Sequence, residues 1–279
     1  MCHKILFVVV LYNQNYYQTE TYRTLLKYID NKQLYKILVY DNSSTSVNNL
    51  IVYQDPFVEY ISDKSNPGVS KAYNYAATWA RENNFSWILL LDQDTIFPND
   101  ILCEYIDAIR NNPQIKLFVP QIKTNGHSGF LSPSRMRSYF PSYSKEILPG
   151  LNNLKRLSPV NSGMLINVDS FWMAGGYNTR VKLDFSDHQF IDRFKRIDQS
   201  FYVLKAVCIQ NYSDDELDKK KKLNRFVFFC RGAMAFEKTS ILVYISIFLV
   251  ILKRAFSLSF HLNSFAPIII LFKTLSEKK

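Results

Sequence analysis

The chain has 279 residues, 47% hydrophobic and 21% charged, which suits one large domain or a domain with an appendage and excludes wholesale disorder. Eight Gly and ten Pro exclude collagen-like and low-complexity classes. The net charge of +10 sits in one place: residues 219–279 carry twelve Lys/Arg and two Asp/Glu, whereas residues 1–218 carry 22 of each sign. This divides the chain into a neutral working domain, 1–218, and a basic tail, 219–279, that seeks an anionic surface.

In chain order, the apolar run Ile5–Tyr12 reads as a fully buried strand. It is too short for a signal peptide and ends in Tyr12-Asn13-Gln14-Asn15 without a small-residue cleavage site. The spacing of Tyr22, Leu25, Leu26 and Ile29 predicts a helix over Tyr16–Ile29. Tyr35–Tyr40 is a second buried strand ending in the turn Asp41-Asn42-Ser43-Ser44, and Val58–Ile61 a short third. After the turn Asn66-Pro67-Gly68, Ser70 is placed to cap a helix whose apolar face is Ala72, Tyr75, Ala76, Trp79 and Ala80. Trp87–Leu91 is the next buried strand, closed by Asp92-Gln93-Asp94, and Ile101–Ile109 is helical. Gln121–Pro159, rich in Ser, Pro and Asn, reads as a loop excursion. Met164–Val168 and Tyr202–Ile209 return to strand, Asp187–Arg196 to helix, and Asp214–Lys222 is a charged linker.

This alternation implies an α/β fold with a mostly parallel sheet covered on both faces. Ligands of such sheets sit at the carboxyl ends of the strands. Here those ends are Tyr12-Asn13, Asp41-Asn42 and Asp92-Gln93-Asp94, all polar or acidic.

In the tail, the uncharged stretch Thr239–Leu252 spans about 21 Å as a helix, short of a hydrocarbon core of roughly 30 Å. Ala255–Phe272 is interrupted by His261, Asn263 and Pro267. Apolar segments fenced by Lys and Arg suit helices lying in a membrane interface, the alternative being a helical cap folded back on the domain. The tail's aromatics are not interleaved with its basic residues, so nucleic-acid binding is not expected. The four cysteines (Cys2, Cys103, Cys208 and Cys230) show neither zinc nor redox spacing and point to a reducing, cytoplasmic compartment.

Two carboxylates two residues apart at a strand end, Asp92 and Asp94, can converge on a divalent cation and a sugar hydroxyl; the plain alternative is a solvated turn. Asp41 suits either an Asx-turn to Ser43 or Ser44 or a nucleotide base N–H. Lys71, in the first turn of a helix where the dipole disfavours it, suits an anionic ligand. No P-loop or dinucleotide fingerprint is present. Asp184 and Asp187 precede a helix, where a carboxylate serves either as N-cap or as general base.

The stretches Phe7–Gln14, Val39–Ser44, Asn66–Ala76, Ile88–Thr95, Ser162–Asn178 and Leu183–Arg193, in this order, resemble a family-2 glycosyltransferase of the GT-A fold, nearest to its rhamnosyltransferase-like bacterial branch. The resemblance covers roughly residues 5–215. It implies that Tyr12 and Asp41 hold the nucleotide base with Asn13 close by, and that Asn66, Gly68 and Lys71 complete the nucleotide pocket. Asp92 then faces the ribose or donor sugar, Asp94 binds a divalent metal (Mg²⁺ or Mn²⁺), Asp187 is the general base and Gly163 lies on the acceptor-side strand. Gln210 stands where the family often has a second metal-binding His, and Gln189 where it often has an acid. The implied reaction is inverting transfer from a nucleotide-sugar, dTDP-rhamnose or a UDP-sugar, to a lipid-linked or surface-polysaccharide acceptor. The basic tail would hold the enzyme peripherally on the inner face of the cell membrane. The competing reading is a non-catalytic sugar-nucleotide-binding or scaffold protein of a polysaccharide assembly complex, motivated by Gln210.

Overall fold

The computed structural model describes residues 3–44, 49, 52, 54–137, 140–210 and 218–277. Its elements begin with β1 (Ile5–Leu11), α1 (Glu20–Thr24), β2 (Tyr35–Asp41), β3 (Val58–Ser62), α2 (Val69–Glu82), β4 (Trp87–Asp92) and β5 (Thr95–Ile96). After α3 (Ile101–Asn111) come β6 (Leu117–Thr124), β7 (Phe130–Arg137), β8 (Phe140–Ser144), β9 (Gly150–Asn153), β10 (Leu157–Ser158) and β11 (Met164–Asn167). The chain closes with α4 (Val168–Met173), α5 (Ser186–Phe194), β12 (Ser200–Gln210), α6 (Lys219–Ala235), α7 (Ile241–His261) and α8 (Ala266–Ser276).

One mixed sheet runs β10-β7-β6-β11-β4-β1-β2-β3, and β12 pairs with β5, β6 and β9. β1, β2, β3 and β4 are parallel neighbours, and β11 enters antiparallel beside β4. The Val- and Leu-rich β1 and β4 show no polar alternation because both faces are covered. Phe7, Val9, Leu89 and Leu91 face one core with Tyr105 and Ile109 of α3, and Leu6, Val8, Ile88 and Leu90 face another with Ala72, Tyr73 and Ala76 of α2.

Three local expectations are corrected. Tyr16–Ile29 is not one helix but the short α1 between two 3₁₀ turns. Asn15 Oδ1 accepts from Tyr17 N at 3.0 Å and Thr19 Oγ1 from Tyr22 N at 3.1 Å, so two caps in succession start new turns and break the first. In α2 the N-cap is Gly68, and Ser70 Oγ instead donates to the Val181 carbonyl; Tyr73 is buried while Tyr75 is exposed. Gln121–Pro159 is largely strand: the end of β6 and then β7 to β10 extend the sheet.

The tail is three helices. Asp218 Oδ1 accepts from Lys221 N at 2.8 Å and caps α6, so Lys219–Lys222, read as linker, open a helix; residues 214–217 of that linker lie outside the described residues. α7 runs through the exposed Lys253 and the half-buried Arg254 for 21 residues, about 31 Å at 1.5 Å per residue, and Arg254 lies 4.3 Å over the Phe229 ring. Among the described residues α7 is the one helix long and apolar enough to cross a membrane, by length and composition only. Its Ile247, Val250, Ile251 and Ala255 pack with Phe226, Phe229, Cys230 and Ala233 of α6 and with Leu271 of α8. Val181 and Phe185, ahead of α5, belong to the same cluster, so the tail folds back onto the sheet domain.

Candidate active site

Strand register sets the site. Leu11 pairs with Asp41, and Val10 with Asp92, so the ends of β1, β2 and β4 stand side by side. The chain leaving β1 bends at Asn13, whose φ is 51°. Its N–H donates to Ser43 Oγ at 2.7 Å. The Asp41 carboxylate is buried; it accepts from Ser43 N at 2.9 Å, from Asn49 Nδ2 at 3.1 Å and from the Tyr60 hydroxyl. The Asx-turn to Ser43 is therefore present, and it holds the carboxylate at the mouth of the site. Tyr12, beside it, is half-exposed, as a side chain that stacks on a ligand ring must be.

Asn66 has φ 47° and Gly68 φ 94°. A Cβ on Gly68 would stand 2.2 Å from the Lys182 carbonyl oxygen, which accepts from Val69 N at 2.8 Å. The turn thus needs Gly both for its backbone angle and for a close backbone approach. Gly68→Ala is expected to cost at least about 2 kcal/mol, from left-handed strain plus the clash. A urea titration with an unchanged midpoint would refute this. Lys71 Nζ pairs with Asp63 Oδ2 at 3.1 Å. Hydrogen bonds from Ser65, Tyr40 and Lys71 hold the Asp63 carboxyl well below the usual carboxylate range.

The acidic centre lies at the end of β4. Gln210 is brought there by the short β5–β12 ladder, in which it pairs with Thr95. Its Nε2 lies 3.2 Å from Asp92 Oδ2, 3.4 Å from Asp94 Oδ1 and 3.4 Å from Ser162 Oγ. Asp92 also accepts from the Ser162 hydroxyl and, at 3.4 Å, from Tyr73 Oη. Burial, then the charge of Asp94, pushes the Asp92 carboxyl up to about 6; burial also raises Asp94, against the Gln210 hydrogen bond. Gly163, φ 73°, places Ser162 at Asp92 and fits because a Cβ there would meet Pro120 at 2.6 Å.

Asp187 reaches the same end from α5, and its charge acts on Asp92, Tyr73 and Tyr177. Side-chain contacts tie together the segments that carry the two acids. Tyr177 Oη donates to Asn161 Oδ1 at 2.6 Å, Asn161 Nδ2 lies 3.3 Å from Ser186 Oγ, and Ser162 follows Asn161 onto Asp92. Asp187 is not the N-cap of α5. That position is Phe185, φ 70°, with no side-chain capping bond. One Asp187 oxygen accepts from His188 N at 2.7 Å, and the other has no hydrogen-bond partner among the described residues. Gln189 is buried, and its Oε1 accepts from Asn178 at 3.0 Å, so it supports the helix and does not face the site.

Residues 6–173, more than half of the chain, match glycosyl transferase family 2. The chain belongs to that family. Its fold is the GT-A fold, as its likeness to solved structures shows. It is 17% identical to S. aureus TarS 1-349 in complex with UDP-GlcNAc, with a TM-score of 0.55, covering 83% of this chain and 66% of that one. GalNAc-T7 with UDP, GalNAc and Mn2+ is 12% identical, with a TM-score of 0.60, covering 87% of this chain and 53% of that one. Against the longer S. aureus TarS the identity is 18% and the TM-score 0.56, covering 83% of this chain and 39% of that one. The chain thus spans between 39% and 66% of these solved chains. No curated protein matches its sequence significantly.

The family match takes in Tyr12, Asp41, Asp92 and Asp94 but stops short of Asp187 and Gln210, which the fold then brings to the same place. Sequence reasoning missed several supports of this family-2 site. The Gln93 side chain accepts from Tyr12 N at 2.8 Å and donates to Tyr12 O at 3.3 Å, clamping the acidic turn to the end of β1. Thr21 Oγ1 donates to the Asp92 carbonyl, which docks α1 against the same turn. Ser162 carried one available signal: it directly precedes the glycine that opens β11. The tail also grips the segment ahead of Asp187. Arg225 Nη2 lies 2.9 Å from Asp184 Oδ1, Phe229 packs at 4.8 Å on the Phe185 ring, and a Cβ on Gly232 would stand 2.7 Å from the Asp184 carbonyl.

Proposed function

We propose that this family-2 glycosyltransferase moves a sugar from a nucleoside-diphosphate donor to an acceptor hydroxyl with inversion. The carrying observation is the convergence of Asp92, Asp94 and Asp187 at one end of the sheet, beside the Tyr12–Asp41 mouth. Asp187 takes the proton of the acceptor hydroxyl through its free oxygen. The acceptor oxygen forms its bond to the anomeric carbon as the bond to the diphosphate oxygen breaks, and the leaving diphosphate keeps that electron pair. Asp41 and Tyr12 hold the base, Asn13, Asn66, Gly68 and Lys71 border the nucleotide, and Asp92 orients the ribose or donor sugar.

The donor set of Asp92, Asp94, Ser162 and Gln210 is all oxygen once the Gln210 amide is turned, which fits a hard divalent cation such as Mg²⁺ or Mn²⁺. Two carboxyls both raised by burial are the pair that such a cation relieves. Among the described residues no group of three or more His, Cys, Asp or Glu is placed to hold a metal ion, so Asp92 and Asp94 would hold it with the Ser162 and Gln210 oxygens. A cation there would supply charge neutralisation for the departing diphosphate. The solved relatives carrying UDP, UDP-GlcNAc or Mn2+ support a UDP-sugar donor, and the Asp92–Thr95 tetrad supports the rhamnosyl branch and dTDP-rhamnose.

The acceptor is a lipid-linked or surface-polysaccharide saccharide reached from the cytoplasmic face of the membrane, on which the protein lies peripherally. What supports this is the outer face of the tail: Leu242, Ile245, Leu249, Phe256 and Phe260 of α7, then Phe265, Ile269 and Phe272, stand exposed at three-, four- and seven-residue spacings. The second reading, a sugar-nucleotide-binding protein without turnover, is favoured by one observation: the Gln210 amide already hydrogen-bonds both acids.

A thermal-shift series with UDP, dTDP and their sugars, with and without Mn²⁺, tests the proposal. A metal-dependent rise of several degrees with one nucleotide is expected. A rise without metal dependence, and without donor turnover, would favour the second reading; no rise with any nucleotide would sink both.

A further inference from the structure

A cleft of about 150 Å³ lies where the tail meets the sheet domain, lined by Arg180, Lys182, Leu183, Phe228, Arg231 and Gly232. This is below the roughly 300–1,000 Å³ of a pocket that encloses a cofactor-sized ligand. Three cations border it, and its apolar wall is Leu183 and Phe228, both exposed. Among the described residues the Arg180 and Lys182 side chains make no hydrogen bond or ion pair. Arg231 meets only the exposed Glu277, at 3.4 Å. The Arg180 guanidinium and the Lys182 ammonium, without an ion pair among the described residues, match a phosphate, which a guanidinium binds through two parallel hydrogen bonds. The apolar wall matches what a lipid adds below its phosphate.

The location fits the same ligand. The cleft opens between α6 and the loop whose Lys182 carbonyl closes on Gly68 and whose Asp184 is two residues from Ser186 and three from Asp187. Glu277 is the C-cap of α8, which exposes Ile269 and Phe272, with the exposed Phe265 at its N-cap. A bilayer meeting that helix therefore brings phosphates to the cleft's edge.

We propose that this cleft binds the phosphate monoester of a membrane lipid and so seats the acceptor side of the site at the bilayer surface. The inference rests on the membrane reading above but not on the identity of the donor. The test is flotation of the full chain with phosphatidylcholine vesicles containing phosphatidic acid, or phosphatidylserine at matched surface potential. Wild type is expected to bind the phosphatidic acid vesicles about fivefold or more tightly than the phosphatidylserine ones. Arg180→Gln with Lys182→Gln should lower binding to phosphatidic acid at least tenfold and erase the preference, with unchanged thermal melting because both side chains are exposed. Lys219→Gln with Lys220→Gln removes the same charge elsewhere and should weaken both vesicles alike, by about fivefold per charge, with the preference kept.

A preference that survives the cleft substitutions overturns the proposal, as does one lost equally in the Lys219/Lys220 control. Glycerol 3-phosphate releasing the protein from vesicles at the lipid's own concentration would make this a free-phosphate site and overturn the lipid assignment. No binding to either vesicle overturns it together with the membrane reading. A nucleotide-induced melting shift in that same preparation would show that the glycosyltransferase reading stands regardless.

Discussion

Asp187→Asn is expected to lower glycosyl transfer by about 10³-fold and to leave donor affinity unchanged, the range general-base removal produces. The asparagine keeps the oxygen that accepts from His188 N, so α5 starts as before and the fold is not disturbed. What disappears is the second oxygen, which has no protein partner among the described residues and is the group able to take a proton. The proposed donor pocket lies on the ends of β1, β2 and β4, and among the described residues Asp187 contributes no hydrogen bond to those strands. Initial rates with the native donor, paired with nucleotide titration by melting shift, separate the two effects. Turnover within tenfold of wild type removes Asp187 as the base. Loss of nucleotide binding alongside turnover would instead place it in the donor pocket.

Much of this site could be read before the fold was known, and the limits have identifiable causes. Continuous apolar runs such as Ile5–Leu11 and Trp87–Leu91 admit one reading once polar residues close them, so the sheet's carboxyl edge was legible. The family resemblance extended this to Asp187. The helix after Gly68 was legible in existence but not in phase. Ala72, Ala76 and Ala80 fix one line of the helix, and the apolar stripe can widen toward Tyr73 and Ala77 or toward Tyr75 and Trp79 with equal spacing. Tertiary packing against Tyr177 decided for Tyr73. Ser162 and Gln210 were out of reach as partners of Asp92 because their meeting depends on ladders between residues about 70 and 115 positions apart. In the tail, Lys253-Arg254 separated two apolar stretches on paper. In space the helix passes through both, and Arg254, over the Phe229 ring, ties α7 to α6.

At Asp92 the expected result is a protein that gains stability as it loses function. Its carboxyl is pushed up to about 6 by burial and by the neighbouring charge of Asp94. A raised carboxyl means that the fold disfavours the ionised form, so at pH 7 the ligand-free protein carries a destabilising charge. As pH falls through about 6, the folded state takes up a proton before the unfolded chain does, and stability rises until the unfolded chain also protonates near 4. Asp92→Asn removes the charge, keeps an oxygen at the Oδ2 position for both the Ser162 hydroxyl and the Gln210 amide, and sets the new Nδ2 at the Oδ1 position, where the Tyr73 hydroxyl can turn to accept from it. The variant should therefore melt higher than wild type at pH 7 without ligand, by on the order of 1 kcal/mol, or roughly 2–4 °C for a protein of this size. Its lead should shrink steadily toward pH 5. Transfer should drop at least 10²-fold, because the carboxylate proposed to orient the donor in the low-dielectric centre is gone. Melting curves of both proteins between pH 7.5 and 5 read the Asp92–Asp94 pair, since the carboxylates away from it are common to the two. A variant that melts lower than wild type at pH 7 would show that the Ser162, Tyr73 and Gln210 hydrogen bonds to the ionised carboxylate outweigh its burial. The acidic pair would then be a structural anchor already satisfied by the protein, and the case for a cation between Asp92 and Asp94 would fall with it.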